Sequence, residues 1–257
     1  MSRIEIVQFP YLSDNYGVLL HDSHTQQTVA IDAGDDIAYN QALDSKGWRL
    51  SQIWVTHHHW DHTDGINALY KRWQCDVIGP AKHSANPIAH LSTGLEEGDI
   101  FQFADMPVEI LHTPGHTLDM INYYLPSENI LFAGDTLFSL GCGRVFEGTM
   151  DMMSQSISKI SALPDETMIY CSHEYTQANG KFALSVDADN QMLISRINEV
   201  ELLIKQGKPT IPTNLKLEKQ TNPFLRTSSP AIQNKLGLKN ASEAELFAAL
   251  RTAKDNF

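Results

Sequence analysis

The stretch Thr56-His57-His58-His59-Trp60-Asp61-His62 follows the apolar run Ile53-Trp54-Val55 directly. β-Branched and aromatic residues in such a run predict a short buried strand. Imidazole nitrogens and carboxylate oxygens are ligands that Zn²⁺ and its first-row neighbours prefer. Because His57 and His59 are two residues apart, we expect both side chains on the same side of a tight loop, unlike the helical i, i+4 pair of a metalloprotease. The alternative is a surface histidine tract, which the internal position and the interleaved Asp61 disfavour.

Three later apolar runs also lead into residues that can bind a metal. Residues 108–111 run into His112-Thr113-Pro114-Gly115-His116, residues 130–133 into Gly134-Asp135, and residues 168–171 into Ser172-His173. A sheet commonly gathers such residues from the ends of its strands into one site. We therefore expect all three to join the first loop.

The candidate ligands are too many for one ion, since a zinc site takes about four. They are His57, His59, Asp61, His62, His116, Asp135 and His173. Two ions fit if each has three ligands of its own and Asp135 bridges them. Such pairs lie ~3.5–4 Å apart and deprotonate a shared water near neutral pH, which gives a hydroxide nucleophile.

Two neighbouring residues are not predicted to be ligands. His58 alternates with His57 and His59, so its side chain should point the other way and form a hydrogen bond instead. For Asp32 we favour a turn-forming role over a supporting one.

Composition limits the possible partners and compartments. The chain has 257 residues and a formal charge of −12, which argues against non-specific nucleic-acid binding. No apolar run is long enough to span a membrane, and the N-terminus lacks the profile of a signal or transit peptide. The three cysteines lack C-x-x-C spacing, which favours reduced thiols. We expect a cytoplasmic monomer.

The residue pattern changes near residue 173. Before it, short apolar runs alternate with turns, and residues 80–98 are predicted to be irregular, with His83 and His90 at the surface. After it, residues 174–184, 188–206 and 241–252 have helical patterns. We therefore predict an α/β (α+β) domain over 1–173 and a mostly helical domain over 174–257.

Several motifs resemble known families. The first loop, Thr-Pro-Gly-His-Thr at 113–117 and Ala-Gly-Asp-Thr at 133–136 resemble the metallo-β-lactamase superfamily. That resemblance implies an αββα sandwich with a dinuclear site. Residues 141–148, 172–176, 222–226 and 251–257 resemble the glyoxalase II family, the hydroxyacylglutathione hydrolases. This second resemblance extends over the whole chain.

The resemblance assigns the ligands to two metals. It implies His57, His59 and His116 on the first ion, Asp61, His62 and His173 on the second, and Asp135 on both. It also implies that 1–173 is the catalytic domain and 174–257 a glutathione-substrate-binding domain, and it maps glutathione contacts onto Arg144, Tyr175, Arg251 and Lys254. Phe146 departs from the tyrosine common in the family, so one hydroxyl contact is missing. Zinc is expected, with iron or manganese as alternatives. From the residues alone, Arg251 and Lys254 would instead be a solvated pair favoured by the helix dipole.

The implied reaction is hydrolysis of S-D-lactoylglutathione to glutathione and D-lactate, in methylglyoxal detoxification. The cations Arg144, Arg251 and Lys254 suit the anionic tripeptide. Asp61 and Asp135 would orient the metal-bridging hydroxide. The alternatives are a persulfide dioxygenase or a lactonase of the same superfamily, or a nuclease, which should have a basic surface.

Overall fold

A computed structural model describes residues 3–81 and 87–257 of the chain. The chain forms two compact units. The first consists of Met1–His112 with Asp119–Glu128, and the second of Thr113–Leu118 with Asn129–Phe257. These units are not the predicted domains, so the boundary after residue 173 stays a prediction.

The first unit is built on two sets of strands. The first set forms a sheet in sequence order: β1 (Ile4–Tyr11), β2 (Asn15–Asp22), β3 (Gln27–Ile31), β4 (Gln52–Trp54), β5 (Asp76–Pro80) and β6 (Leu91–Leu95). Strands β1 to β3 pair antiparallel, and β3 to β6 pair parallel. The second set is an antiparallel meander of β7 (Ile100–Phe103), β8 (Met106–His112) and β9 (Ile121–Leu125). Among the described residues of the unit there are three helices: α1 (Asp36–Lys46), α2 (Trp60–Thr63) and α3 (Ile66–Trp73).

Trp54 fixes the end of β4 from which the histidine-rich loop departs. Its side chain is fully buried. It makes edge contacts with Phe101 and Phe103 and stacks on Tyr123, with ring centroids 5.1, 5.5 and 5.2 Å away. The Tyr123 hydroxyl also donates to the Val55 carbonyl at 2.8 Å. Aromatic packing of this kind adds to the burial energy, so the loop begins on a rigid support.

The second unit combines a few strands with most of the helices. Its strands are β10 (Ile130–Gly134), β11 (Leu137–Phe138), β12 (Gly141–Cys142), β13 (Met168–Cys171) and β14 (Thr213–Asn214). Strand β13 pairs parallel with β10 and antiparallel with β14, and β11 and β12 form a hairpin. Its helices are α4 (Met150–Ser161), α5 (Thr176–Val186), α6 (Gln191–Lys205), α7 (Leu215–Thr221), α8 (Pro230–Leu236) and α9 (Glu243–Asp255), with a 3-10 turn at Pro223–Leu225.

The side chain of Glu218 holds the β11–β12 hairpin in place. This fully buried carboxylate accepts hydrogen bonds from the Leu140 amide and from the side chains of Ser139, Thr213 and Asn222. Burial raises its pKa. Because buried polar groups are stable only when hydrogen-bonded, Glu218 fixes the turn that precedes Gly141.

The prediction for residues 80–98 was wrong at 91–95, which form strand β6. Its sequence Leu-Ser-Thr-Gly-Leu is mostly exposed, so the apolar alternation of a strand is weak. His90 is exposed and stacks on Tyr70, with 3.9 Å between ring centroids, whereas His83 lies outside the described residues. Within the described residues, none of the helices combines the length and hydropathy that crossing a membrane requires.

Candidate metal centre and anion site

The loop after β4 brings imidazoles of the first unit together. His57 Nε2 lies 3.0 Å from His59 Nδ1, and the rings of His57 and His62 are 4.1 Å apart. Helix α2 begins at Trp60, directly after His59, and carries His62. His58 points elsewhere, and its Nδ1 lies 3.0 Å from both carboxylate oxygens of Asp119. The loop therefore presents His57 and His59 to one side and His58 to another.

Asp32 fixes the orientation of two of these rings. Its carboxylate accepts from His62 Nδ1 at 2.8 Å and from the Thr56 amide and hydroxyl at 2.7 and 3.0 Å. The Thr56 hydroxyl donates to Asp32 and therefore accepts from His57 Nδ1, 3.0 Å away. In the neutral form of both rings the proton is therefore on Nδ1, and Nε2 carries the lone pair that a metal would bind. Asp32 has the left-handed backbone of a turn residue, with φ +57°, and its carboxylate also orients two of the predicted ligands, the role that the sequence favoured less.

Asp61 lies beside the last histidine of the loop. Its Oδ2 is 3.4 Å from His62 Nε2 and accepts from the Asn15 side chain at 3.0 Å. The Tyr11 hydroxyl donates to its backbone carbonyl at 2.8 Å, and burial raises the pKa of Tyr11, which keeps that proton in place. Asn15 and Tyr11 give no ligand-like signal in the sequence, and only the strand pairing brings them here.

The second unit holds the other three predicted ligands together. Asp135 Oδ2 lies 3.4 Å from His116 Nε2 and 3.2 Å from His173 Nε2, and all three side chains are buried. The turn before His116 requires glycine, because Gly115 has φ +151° and an added Cβ would lie 2.6 Å from the Met153 sulfur. The carboxylate thus lies between two imidazoles, as a bridging ligand would.

The ligand atoms of both units suit metal coordination better than hydrogen bonding. His116 Nδ1 must donate to the Arg144 carbonyl, 2.9 Å away, because a carbonyl only accepts. In the neutral ring, which is the form that binds a metal, Nε2 then carries the lone pair and faces Asp135, as His62 Nε2 faces Asp61. Two ligands of one tetrahedral zinc lie about 3.3 Å apart, and these pairs lie 3.4 Å apart. All seven predicted ligands belong to groups of His and acidic side chains that can hold a metal ion.

Two aromatic residues stand beside the ligands of the second unit. Tyr175 stacks on His173, with ring centroids 4.8 Å apart and the rings nearly parallel. Phe146 is 62% exposed, and its ring lies 5.2 Å from that of His116. These positions suit a ligand that lies against the predicted metal ligands His116 and His173.

Three cations of the second unit share one acidic neighbour. Asp255 Oδ1 accepts from Arg251 Nη2 at 2.9 Å and lies 3.8 Å from Arg144 Nε. Burial, together with repulsion from Arg251 and Arg144, lowers the pKa of Lys254. Three basic side chains beside a single carboxylate leave this part of the unit with positive charge, which favours an anionic ligand.

The cations differ in how accessible they are. The Arg144 side chain is 65% exposed, whereas Arg251 is only 3% exposed and donates to the Cys142 carbonyl at 2.8 Å. Arg251 is therefore not the solvated last-turn residue that the residues alone suggested. Its role in substrate binding stays a prediction. Sequence reasoning missed Asp255, because an acid beside a basic residue at a helix end resembles an ordinary surface pair.

Comparison with known proteins agrees with both resemblances. Residues 15–173 match the family described as "Metallo-beta-lactamase superfamily", and residues 174–257 match "Hydroxyacylglutathione hydrolase C-terminus". A protein of Ruegeria pomeroyi named hydroxyacylglutathione hydrolase is 47% identical over 254 residues, with 99% of each chain covered. One of Rhizobium meliloti with the same name is 47% identical over 257 residues, with 100% of each chain covered.

Solved structures share the fold. ETHE1 from Myxococcus xanthus has a TM-score of 0.66 at 25% identity, with 97% of each chain covered. The BLEG-1 B3 metallo-beta-lactamase has a TM-score of 0.65 at 21% identity, with 86% of this chain and 99% of that one covered. The predicted fold class, a metallo-β-lactamase fold with a helical C-terminal part, is confirmed.

Proposed function

Because the chain belongs to the hydroxyacylglutathione hydrolase family of the metallo-β-lactamase superfamily, we propose that it hydrolyses S-D-lactoylglutathione to D-lactate and glutathione. The observation that carries this proposal is the near-complete match to those relatives, including residues 174–257. The cations and aromatic side chains beside the ligands of the second unit supply what an anionic tripeptide requires. In a cell that forms methylglyoxal, the reaction would serve its detoxification.

We propose two divalent metal ions, with zinc the expected metal and iron or manganese the alternatives. The first would be held by His57, His59 and His116, the second by Asp61, His62 and His173, and Asp135 would bind both. Four short donor pairs support this assignment, each joining ligands proposed for one ion: His57–His59, Asp61–His62, His116–Asp135 and Asp135–His173. When bound, such ions lower the pKa of water and polarise a carbonyl.

The protein side chains have separate tasks in this proposal. Asp32 and the Arg144 carbonyl keep the Nδ1 protons of His62 and His116 in place, which orients both rings. Asp61 and Asp135 would orient the attacking water and accept its proton. A thiol pKa of about 8.5 makes glutathione thiolate a good leaving group, so no separate general acid is needed.

The tripeptide would bind through the second unit. Exposed Arg144 and partly buried Lys254 would meet its carboxylates, and Tyr175 would pack against it from the face of His173. Phe146 offers an apolar face in place of a hydroxyl. Arg251 would contribute positive charge to the same site from a buried position.

The persulfide dioxygenase and lactonase alternatives have less support. Neither accounts for the match of residues 174–257 to the hydroxyacylglutathione hydrolase C-terminus. A neutral lactone carries no negative charge that the cluster of Arg144, Arg251 and Lys254 would bind.

One assay compares these functions. Metal-replete protein is given S-D-lactoylglutathione, a lactone, a β-lactam and glutathione persulfide, and thioester loss, ring opening and oxygen uptake are followed. We expect thioester hydrolysis to exceed the other reactions by orders of magnitude. Turnover of the lactone or the persulfide without thioester hydrolysis would refute the proposal. An Asp135→Ala variant controls for contaminating hydrolase.

We also propose that the protein acts as a monomer in the cytoplasm. Cys75, Cys142 and Cys171 are buried and free, as in a reducing compartment. Burial raises the pKa of Cys75 and Cys142 to about 11 and that of Cys171 to about 12, so the thiols stay protonated. Cell fractionation and light scattering test the two statements.

A further inference from the structure

Asp255 is an acid in an electrostatically unfavourable position. It is the last residue of α9, where the helix dipole disfavours negative charge. It is compensated by Arg251, one turn earlier, whose Nη2 donates to Asp255 Oδ1 at 2.9 Å. Arg144 Nε lies 3.8 Å from the same oxygen. Besides Lys254, the residue before it, the carboxylate therefore has two arginines from different parts of the second unit as neighbours.

The carboxylate of Asp255 stabilises the buried charge of Arg251. Its guanidinium is buried and lies 5.3 Å from the centre of the Phe224 ring. A buried charge is stable only when it is paired and hydrogen-bonded. Asp255 supplies the charge, and the Cys142 carbonyl accepts a hydrogen bond from Nη1 at 2.8 Å. Removing the charge of Asp255 would leave Arg251 with the Cys142 carbonyl, the Cys142 sulfur and the Phe224 ring, none of which carries a charge.

The Cys142 carbonyl belongs to the short segment that also carries Arg144. That segment is held at two points. Arg251 donates to the carbonyl of Cys142, and His116 donates to the carbonyl of Arg144. Hydrogen bonds thus connect Asp255 to Arg251 and Arg251 to Cys142, the backbone leads from Cys142 to Arg144, and a further hydrogen bond joins Arg144 to His116, all within the second unit.

We propose that Asp255 is a positioning residue for the glutathione site: through Arg251 it holds residues 142–144 so that the exposed charge of Arg144 faces the tripeptide. Asp255 itself does not touch the substrate. The identity of the ligand rests on the proposed function, whereas the positioning of the segment does not.

An alternative role for Asp255 predicts the opposite change in ligand affinity. If Asp255 were only an anion that competes with the substrate for Arg144, removing its charge would strengthen binding of an anionic ligand. If it positions Arg144, removing its charge weakens binding.

The first experiment measures binding of S-methylglutathione, a thioether that cannot be hydrolysed, to metal-replete protein by calorimetry. For Asp255→Asn we expect the Kd to rise about tenfold, the effect of losing one charge-assisted hydrogen bond. Glu201→Gln, the same charge change at an exposed position of α6, should leave the Kd unchanged. Asp255→Glu keeps the charge and should recover part of the affinity. An Asp255→Asn variant that binds as tightly as the unsubstituted protein, or more tightly, would overturn the proposal.

The second experiment needs no ligand. The amides of Gly143, Phe146 and Glu147 are hydrogen-bonded to the carbonyls of Thr136 and His116. We expect Asp255→Asn to speed their hydrogen exchange at least tenfold at unchanged metal content, and Glu201→Gln to have no effect. Unchanged exchange would refute the positioning role. Absence of S-methylglutathione binding by the unsubstituted protein would instead refute the proposed function, and the exchange rates would still decide the role of Asp255.

Discussion

Asp32→Asn tests how the candidate metal centre is organised, because one buried carboxylate orients two proposed ligands. Asparagine has nearly the same shape and tolerates the left-handed backbone at this position, where φ is +57°. Alanine would add a backbone cost of ~1–2 kcal/mol and confuse the result. The substitution therefore changes the hydrogen bonding and leaves the turn intact.

The expected effect is on metal affinity. The asparagine oxygen can still accept from the Thr56 amide, which places its NH₂ group towards His62 Nδ1, 2.8 Å from the present oxygen. His62 Nδ1 must then accept, so its proton moves to Nε2, the atom that faces Asp61. Losing a supporting partner of a metal ligand lowers affinity about 10–100-fold, or ~1.4–2.8 kcal/mol. Because the retained oxygen can still accept from the Thr56 hydroxyl, which lies 3.1 Å from Asp32 Oδ1, His57 keeps its support and we expect the lower end of that range.

The assay is competition for zinc between the protein and a chromogenic chelator, with metal content measured in parallel. Asp35→Asn is the matched control. Asp35 lies three residues further on and caps α1 by accepting from the amides of Ile37 and Ala38. Asparagine caps a helix about as well as aspartate, so the control should keep both its stability and its zinc affinity. An Asp32→Asn protein that binds both ions as tightly as the unsubstituted protein would refute this account of Asp32.

Three further outcomes follow from the structure. Replacing His59 with alanine should leave fewer than two metal ions per chain and remove thioester hydrolysis; full metal content by atomic emission with full turnover would contradict the ligand assignment. Phe146→Tyr adds a hydroxyl beside His116 and should lower the KM for the thioester about fivefold, the value of one hydrogen bond, with kcat nearly unchanged. Asp22→Asn should cost about 2 kcal/mol of unfolding free energy, because the buried carboxylate accepts from Arg3 and Thr25. Since those bonds hold the pKa of Asp22 well below its usual range, their contribution is present above about pH 4 and lost as the pH falls further, so denaturation of the variant should depend less on acid pH.

The residue types of the proposed ligands were predictable because a metal ion restricts which side chains can bind it more than it restricts where they stand in the sequence. Few residues bind zinc, so a dense run such as His57 to His62 is conspicuous in any sequence. The strands before His116, Asp135 and His173 were predictable for a similar reason, since each is a short apolar run. By contrast, β6 has two polar residues and a glycine among its five, so periodicity gave no signal there.

The role of Asp32 was underestimated because turn formation is local and ligand support is not. Asp-Ala-Gly after a strand indicates a turn whatever surrounds it. That the same carboxylate reaches Thr56 follows from the parallel pairing of β3 with β4, in which Ile31 lies opposite Trp54. Residues just beyond those two positions must be neighbours. The register, once known, would have placed Asp32 beside the histidine loop.

The burial of Arg251 shows a different limit. A basic residue near the end of a helix has the same sequence pattern whether its side chain meets solvent or the Cys142 carbonyl. The side chain of Arg251 meets the carbonyl because of where the β11–β12 hairpin runs, more than a hundred residues earlier in the chain. The buried carboxylate of Glu218 holds that hairpin in place.

The acceptors that orient the two histidine rings also differ in what a sequence can reveal. Asp32 orients His62 through a side chain, so a substitution can remove that acceptor. Arg144 orients His116 through its backbone carbonyl, which every residue type possesses. A substitution at position 144 therefore changes the charge that faces the substrate, but it does not remove the carbonyl that orients His116. The support depends on where residues 142–144 lie, and Asp255 acts on that position through Arg251.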